Sequence, residues 1–325
     1  FYETLAHHFS YSSNVGKAID YLMKAGEKSA KKYSLDEAHQ YFKEAYKIIT
    51  DKADKTKAEI ELLMDLLIQW SYVFNYRGDF KNWHILLTNH INLAESAGNK
   101  RKLSMLYGWL GFCLYHRSKI KDAYAYLSTA LKIGQELKDP SIIAYASTWL
   151  TWVCTEMGLL QKAVNYGENA MEILKSHESD HYLYMTCRSA VGYAYFRLGY
   201  GEKAAEVGTG MLNYGRKFSS NRNMTLGHMI MGFGYFTSGD LISARISFKK
   251  AIQISLDPFY TELVRIFLSA CYIIQENFQE AEPELKKVLQ FSKNFGVEII
   301  GIPAYAWLGV VLIVKGQMRK GMKML

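Results

Sequence analysis

Proline is scarce in this sequence, and its few cysteines do not occur as close pairs. Only four of its 325 residues are proline, and because proline breaks helices, that scarcity favours a helical chain. The four cysteines, Cys113, Cys154, Cys187 and Cys271, include no pair with the two-residue gap of a metal or redox motif. We expect them to be buried free thiols, which fits a reducing cytoplasm.

Catalytic and metal-binding patterns are also absent. There is no Gly-rich phosphate loop with Lys-Ser/Thr, and no Ser/His/Asp or Cys/His set stands out. Residues 177–181, HESDH, place two imidazoles beside two carboxylates. Zinc needs three or four convergent ligands, however, and in a loop Asp180 serves equally well as a helix cap. The His7–His8 pair is interpreted as part of a packed helix face. We therefore expect no enzyme activity, no metal and no cofactor.

No apolar run is long enough to cross a membrane. The uncharged stretch 299–314 has 16 residues and contains Pro303, whereas a span needs about 20, so it is predicted to be a buried helix. The net charge is +8, but the basic residues are dispersed, with the densest runs at 28–32 and 99–102. We interpret these runs as solvated helix faces, and expect neither nucleic acid nor membrane as a direct partner.

The apolar content is that of a folded protein. Hydrophobic residues make up 49% and aromatic residues 14% of the chain, which is too much for a disordered segment. A single closed core rarely exceeds about 250–300 residues, so the length suggests two domains or an open repeat array. The chain does not begin with methionine and opens and closes inside apparent repeats, so we expect it to be part of a longer protein.

A repeat of roughly 40 residues runs along the sequence. A small residue is followed four positions on by a larger one and seven positions on by another small one, as in Ala244-Phe248-Ala251. The first members of this pattern are at positions 83, 123, 163, 204, 244, 281 and 321. Five residues before each lies a turn position, which is glycine in five repeats and Ser118 or Glu276 in the other two. Glycine suits the left-handed conformation that ends a helix, so each repeat is predicted to be helix A, a turn and helix B.

The repeat predicts seven helix pairs after residue 55. Their expected bounds are 56–77 and 80–96, 103–117 and 120–137, 141–156 and 160–176, 182–198 and 201–217, 223–237 and 241–255, 259–275 and 278–294, and an incomplete pair at 303–315 and 318–325. Two anchors depart from the alanine found in the other repeats, namely Trp83 and Gly321. Pro283 is expected to kink or delay helix B of its repeat.

Helix A and helix B carry residues similar to those of the tetratricopeptide family. The best copy has Met231-Gly232-x-x-Tyr235 in helix A and Ala244-x-x-x-Phe248-x-x-Ala251 in helix B. The resemblance implies an all-α fold, a right-handed α-solenoid of antiparallel helix pairs. Family repeats have about 34 residues, so helices about three residues longer are expected here.

Residues 1–55 break the repeat spacing. Ala18-Leu22-Ala25 and Ala38-Phe42-Ala45 both fit helix B, yet they lie 20 residues apart. One helix from Val15 to about Tyr33 would reconcile them. We therefore predict irregular helical hairpins over 1–55, followed by the repeat array over 56–325.

The N-terminal segment also resembles a known junction. Residues 5–9 (LAHHF), 17–22 (KAIDYL) and 24–26 (KAG) are similar to the point where helical repeats follow the ATPase core of bacterial signalling ATPases. These include maltose-regulator-type activators and ATPase-fused nucleotide cyclases. The resemblance implies a cytoplasmic bacterial protein with an ATPase domain upstream, for which this chain is the sensor or regulatory arm.

An aromatic stripe in the A helices is the candidate binding surface. Its residues recur at the repeat spacing or one helical turn away, and are Tyr72, Tyr76, Phe112, Tyr115, Trp152, Tyr193, Phe196, Arg197, Phe233 and Phe236. The family resemblance implies that they line a concave groove, where aromatic and arginine side chains would anchor a protein or peptide. The alternative is that they pack between neighbouring A helices as core. A small metabolite, such as a sugar or nucleotide, and a free-standing scaffold are the other functions left open.

Overall fold

The structure, a computed structural model, describes residues 15–32, 34–51, 54–176 and 181–325, together with positions 2, 4, 5 and 8. His7 of the histidine pair, residues 6 and 9 of the junction motif and residues 177–180 of the HESDH segment lie outside the described residues. The chain divides into two compact units, residues 1–113 and 114–325. They are called the first and second unit below; the proposed boundary at residue 55 stays a prediction.

Sixteen helices lie between Val15 and Met322, and no strand occurs among the described residues. The first five are α1 (Val15–Lys31), α2 (Leu35–Thr50), α3 (Lys57–Arg77), α4 (Phe80–Ala97) and α5 (Lys100–His116). The others are α6 (Ile120–Leu137), α7 (Pro140–Glu156), α8 (Leu160–Ser176), α9 (His181–Arg197), α10 (Gly201–Lys217), α11 (Asn221–Thr237), α12 (Leu241–Ile254), α13 (Pro258–Ile274), α14 (Phe278–Phe295), α15 (Glu298–Val314) and α16 (Met318–Met322). The unit boundary falls inside α5.

The helix pairs predicted from the repeat are confirmed. From α3 onward, odd-numbered helices are the A helices and even-numbered ones the B helices, and α1 is the single helix expected from Val15. The predicted start of α15 at residue 303 is wrong, because that helix begins at Glu298. Helix α14 begins at Phe278, so Pro283 does not delay it.

Both prolines occupy the sixth position of their helix, where the missing N–H removes one hydrogen bond near a helix start. Packing overrides that loss at α15. Val297 and Ile300, at its first turn, are 0% and 1% exposed, and their burial holds the turn in helical form.

The turn residues behave as the spacing predicts. Positive φ angles occur at all seven predicted turn positions between helix A and helix B, five of them glycine. The other two are Ser118, with φ 55°, and Glu276, with φ 60°. Each A helix ends at its turn position because the backbone there enters the left-handed region, which cannot continue a helix.

Side-chain caps fix where several A helices begin. At α3, the amide of Glu59 donates to Thr56 Oγ1 over 3.3 Å, and the amide of Thr56 donates to the Glu59 carboxylate over 2.7 Å. Asp139 and Asp257 accept hydrogen bonds from backbone amides at the starts of α7 and α13, each of which has proline as its first residue. Such caps satisfy N–H groups that have no partner within the helix.

The small anchor residues of the B helices form the core of each repeat. They are fully buried at Ala123, Ala163, Ala204, Ala244 and Ala281. Trp83 occupies the same position in α4 and is also 0% exposed. Its indole N–H donates to Ser71 Oγ over 3.0 Å, so the polar edge of this large side chain is satisfied within the core.

Helices α10 and α11 lie so close together at Gly208 that no side chain fits between them. A Cβ atom at Gly208 would lie 2.5 Å from the backbone nitrogen of Met231 and 2.8 Å from the carbonyl oxygen of Gly227. Backbone atoms of packed helices cannot move aside as the end of a flexible side chain can. The close contact of the two helices therefore explains why position 208 is glycine, whereas the corresponding residue of another repeat, Phe248, is large.

We expect Gly208→Ala to lower the free energy of unfolding by about 1–3 kcal/mol through overpacking. Gly210→Ala is the matched control. Its Cβ would meet only the guanidinium end of Arg188, which can move, and alanine is the better helix former by about 1 kcal/mol. Urea unfolding of both variants measures the difference, and equal midpoints would contradict the close approach.

Candidate functional site

The second unit brings together A helices that are far apart in sequence. In an open repeat array each repeat contacts only its neighbours. Here the ring of His116, at the end of α5, lies 4.7 Å from that of Phe259 in α13, and Arg117 reaches Glu298 in α15. Distant repeats meet only on the side toward which their array curves. We call this surface of the A helices within residues 114–325 the inner face.

An ion pair closes part of the inner face. Arg117 donates to Glu298 Oε1 from Nη2 over 2.8 Å and from Nε over 3.1 Å. The Arg117 side chain is 21% exposed and that of Glu298 44%. Because both groups still reach solvent, the pair contributes little to stability, on the order of 0–1 kcal/mol.

Aromatic rings run along the inner face from one A helix to the next. Trp152 stacks on Tyr193 with ring centroids 5.2 Å apart, and Tyr193 lies 5.5 Å from Phe233. Phe196 stacks on Phe233 at 4.8 Å. Phe267 of α13 completes the series at 4.5 Å from Phe233. Such ring pairs favour offset or edge-to-face packing, so adjacent A helices are held at a defined separation.

Burial divides the predicted site residues of the second unit into two groups. Tyr115, Trp152, Tyr193 and Phe233 are 3%, 2%, 5% and 0% exposed. They form the floor of the inner face and offer almost no area to a partner. The accessible group comprises Phe196 and Phe236, which are half-buried, and Arg197, which is exposed. For these three, contact with a partner remains a prediction.

Arg197 is tied to the floor by a polar cluster. Its Nη1 donates to the Tyr193 hydroxyl over 3.1 Å and lies 3.5 Å from the Glu156 carboxylate. Burial raises the pKa of Glu156, and the nearby guanidinium opposes that rise. Burial also raises the pKa of Tyr193. The cluster fixes where one cationic group stands on the inner face.

A second arginine stands further along the inner face, on α11. The Arg222 guanidinium lies 3.8 Å from the ring centroid of Tyr182, and its Nη2 donates to Thr186 Oγ1 over 2.8 Å. Burial raises the pKa of Asp257, an effect that Arg222 partly offsets. Aromatic contact and charge pairing thus orient this side chain as well.

The other three predicted site residues belong to the first unit. Phe112 is 3% exposed and packs against Trp83, with ring centroids 5.5 Å apart. Tyr72 and Tyr76, on α3, are 49% and 42% exposed. They line a cavity in the first unit that is described further below.

Sequence reasoning missed a second aromatic series one helical turn before the stripe. Trp109 and Trp149 lie 40 residues apart, and Phe267 occupies the corresponding place in α13. The spacing of the two tryptophans was a usable signal. Phe267 was hidden because its repeat is three residues shorter than the others, which shifts the alignment.

No group of three or more His, Cys, Asp or Glu side chains that could hold a metal occurs among the described residues. Over the same part of the chain, no helix combines the length and apolar character that a membrane span requires. None of the four cysteines forms a disulfide and all four are buried, as predicted.

No protein-family model and no curated protein matches this chain. Solved structures do. The chain is similar to NprR in complex with its cognate peptide NprX, with a TM-score of 0.69, 13% identity, and coverage of 96% of this chain and 88% of that one. The fold is a tetratricopeptide-like helical repeat.

Two further solved structures resemble the chain. A Rap protein complexed with competence and sporulation factor gives a TM-score of 0.64 at 12% identity, over 94% of this chain and 89% of that one. A signal transduction ATPase with numerous domains, carrying a tetratricopeptide repeat sensor, from Pyrococcus horikoshii, gives 0.52 at 17% identity. That match covers 98% of this chain and 50% of the ATPase. At these identities the likeness concerns the fold alone.

Proposed function

We propose that this chain is a non-catalytic module that binds a peptide or an extended protein segment on the inner face of residues 114–325. The observation that carries the proposal is the accessible group of Phe196, Arg197 and Phe236 on a buried aromatic floor. Phe and Arg are both enriched at interfaces, and Arg is among the residue types that dominate binding energy there.

The floor favours binding because it is ordered in advance. Phe196 is stacked on Phe233, and Arg197 is held by Tyr193 and Glu156. A side chain that is already fixed loses little freedom when a partner arrives, so more of the contact energy contributes to affinity.

Similar folds support a peptide as the occupant. Two of the similar solved structures, NprR and the Rap protein, were determined with a peptide or with competence and sporulation factor bound. Because identity to them is 12–13%, the residues that would contact a peptide here must be argued from this chain alone. Its inner face supplies aromatic surface and oriented guanidinium groups, which suit an extended peptide with apolar and acidic side chains.

The proposal extends to a sensor arm of a larger signalling ATPase. Likeness to the repeat sensor of the Pyrococcus horikoshii ATPase and the junction-like sequence over 5–26 both support it. In such an arm the bound peptide shifts the ATPase between states, which requires a different affinity for each state. We expect an occupant of the inner face to compete with the ion pair of Arg117 and Glu298, whose carboxylate side is 44% exposed.

The test begins with peptides selected from a displayed random library against the whole chain. Phe236→Ala is expected to weaken the selected peptide at least about tenfold, since a central apolar anchor contributes about 2 kcal/mol or more. Ile246→Ala, on the B helix α12 and 65% exposed, is the matched control and should leave the affinity unchanged. Calorimetric titration of both variants gives the ratio. Equal affinity of the two variants and the parent chain would refute the inner-face site.

A further inference from the structure

A cavity of about 360 Å³ lies within the first unit, between α1, α2 and α3. Its walls are Glu27, Ala30 and Lys31 of α1 and Gln69, Tyr72 and Tyr76 of α3, with Phe42 of α2 as the apolar base. The volume is at the lower end of the range for ligand pockets, about 300–1,000 Å³. A single large side chain therefore suits it better than a whole cofactor.

The position of Gln69 in the repeat explains why the cavity exists. Gln69, Trp109 and Trp149 are spaced by 40 residues, at the same turn of three successive A helices. Trp109 packs its indole ring edge-on against Tyr72 of the preceding A helix, with centroids 4.8 Å apart. Trp149 likewise lies 6.3 Å from Tyr115 and 6.1 Å from His116 of the A helix before it. Gln69 is smaller than these tryptophans, so the space between it and the preceding helices, which an indole ring fills in the next two repeats, stays empty.

An unmet polar group points to the chemistry of the occupant. Gln69 Oε1 is buried and accepts no hydrogen bond from any described residue. A buried acceptor without a donor is destabilising, so an occupant that brings an N–H group is favoured. The charged rim carries both signs, since Lys31 pairs with Glu27 over 2.7 Å, and selects no charged ligand.

We infer that this cavity binds an indole side chain supplied by a partner peptide, in the place where the next two repeats carry their own tryptophan. The ring lies over Phe42 and Ala30, and the Gln69 side chain turns so that Oε1 accepts a hydrogen bond from an N–H of the indole or of the peptide backbone. Tyr72 and Tyr76, both exposed, flank the ring. The inference rests on the proposed function only in that the indole belongs to a peptide.

The experiment uses N-acetyl-tryptophanamide as the probe and the whole chain as the receptor. Saturation-transfer difference NMR is expected to give a saturable signal with a dissociation constant on the order of 1 mM, as befits a ligand of this size. Gln69→Trp should abolish the signal, because the new indole fills the cavity as Trp109 fills its own site. Ile85→Trp adds the same side chain at an exposed position of α4 and should leave binding unchanged.

Thermal melting of each variant shows whether it folds. If Gln69→Trp does not fold, Ala30→Phe provides the same test, because it blocks the cavity from the α1 side. No saturable signal with the parent chain overturns the inference, as does equal binding by the blocked variants. Because the probe is a free amino-acid derivative and the cavity lies outside residues 114–325, either result leaves the inner-face proposal to be judged by its own titration.

Discussion

Trp152→Ala is expected to lower the free energy of unfolding by about 3–5 kcal/mol, the range for removing a buried tryptophan. The side chain is 2% exposed and stacks on Tyr193 at 5.2 Å. Its ring also lies 6.3 Å from that of Tyr115. Truncation would leave a cavity among three A helices, and their shared packing restricts how far the site can collapse.

Two variants separate packing from other causes. Trp152→Phe should restore most of the lost stability, since it keeps an aromatic ring and removes an indole N–H that has no partner among the described residues. Tyr305→Ala removes an aromatic side chain that is 46% exposed and should change stability by less than about 0.5 kcal/mol. Urea midpoints give all three values. A Trp152→Ala chain as stable as the parent, yet unable to bind the selected peptide, would show that the ring faces a partner.

The four thiols are expected to react with a disulfide reagent at least about a thousandfold more slowly in the native chain than after unfolding in urea. All four side chains are 0% exposed. Burial also raises the pKa of Cys154 to about 11 and those of Cys187 and Cys271 to about 12. At pH 8 a thiol with a pKa near 11 is about 0.1% thiolate, against about a quarter for an unperturbed cysteine.

The same pKa shifts set a pH dependence. The unfolded chain releases thiol protons from about pH 8.5, whereas the folded chain retains them until about pH 11–12. The stability that these buried neutral thiols contribute is complete below about pH 8.5 and is lost as the pH rises through the folded values. Stopped-flow thiol titration at pH 8 checks the reactivity. A cysteine that reacts natively at the unfolded rate would contradict the burial, and single Cys→Ala variants would identify it.

Local features of the fold were predictable because local chemistry decides them. The turn positions, including Ser118 and Glu276, followed from spacing alone, since a left-handed residue must end each A helix. The start of α15 did not follow from spacing. Burial of Val297 and Ile300 outweighs the loss of one helical hydrogen bond at Pro303. A proline near a helix start removes one hydrogen bond, and sequence gives no measure of the packing that offsets it.

The candidate site was only half predictable. The repeat spacing located the aromatic stripe, but the same spacing occurs whether a ring packs between A helices or faces a groove. Whether a ring is buried or accessible depends on how closely the neighbouring A helices approach at that point. Their approach buries Trp152 and leaves Phe236 partly accessible. The contact of Arg117 with Glu298 depends on small rotations summed over five repeats, so no local pattern predicts it.

Hydrogen exchange of the whole chain, with and without a selected peptide, tests the central claim most directly. If the peptide occupies the inner face, protection should increase in the A helices α7, α9, α11 and α13 and remain unchanged in the B helix α12. Protection confined to the B helices, or its absence from residues 114–325 at saturating peptide, would contradict a binding surface on the inner face.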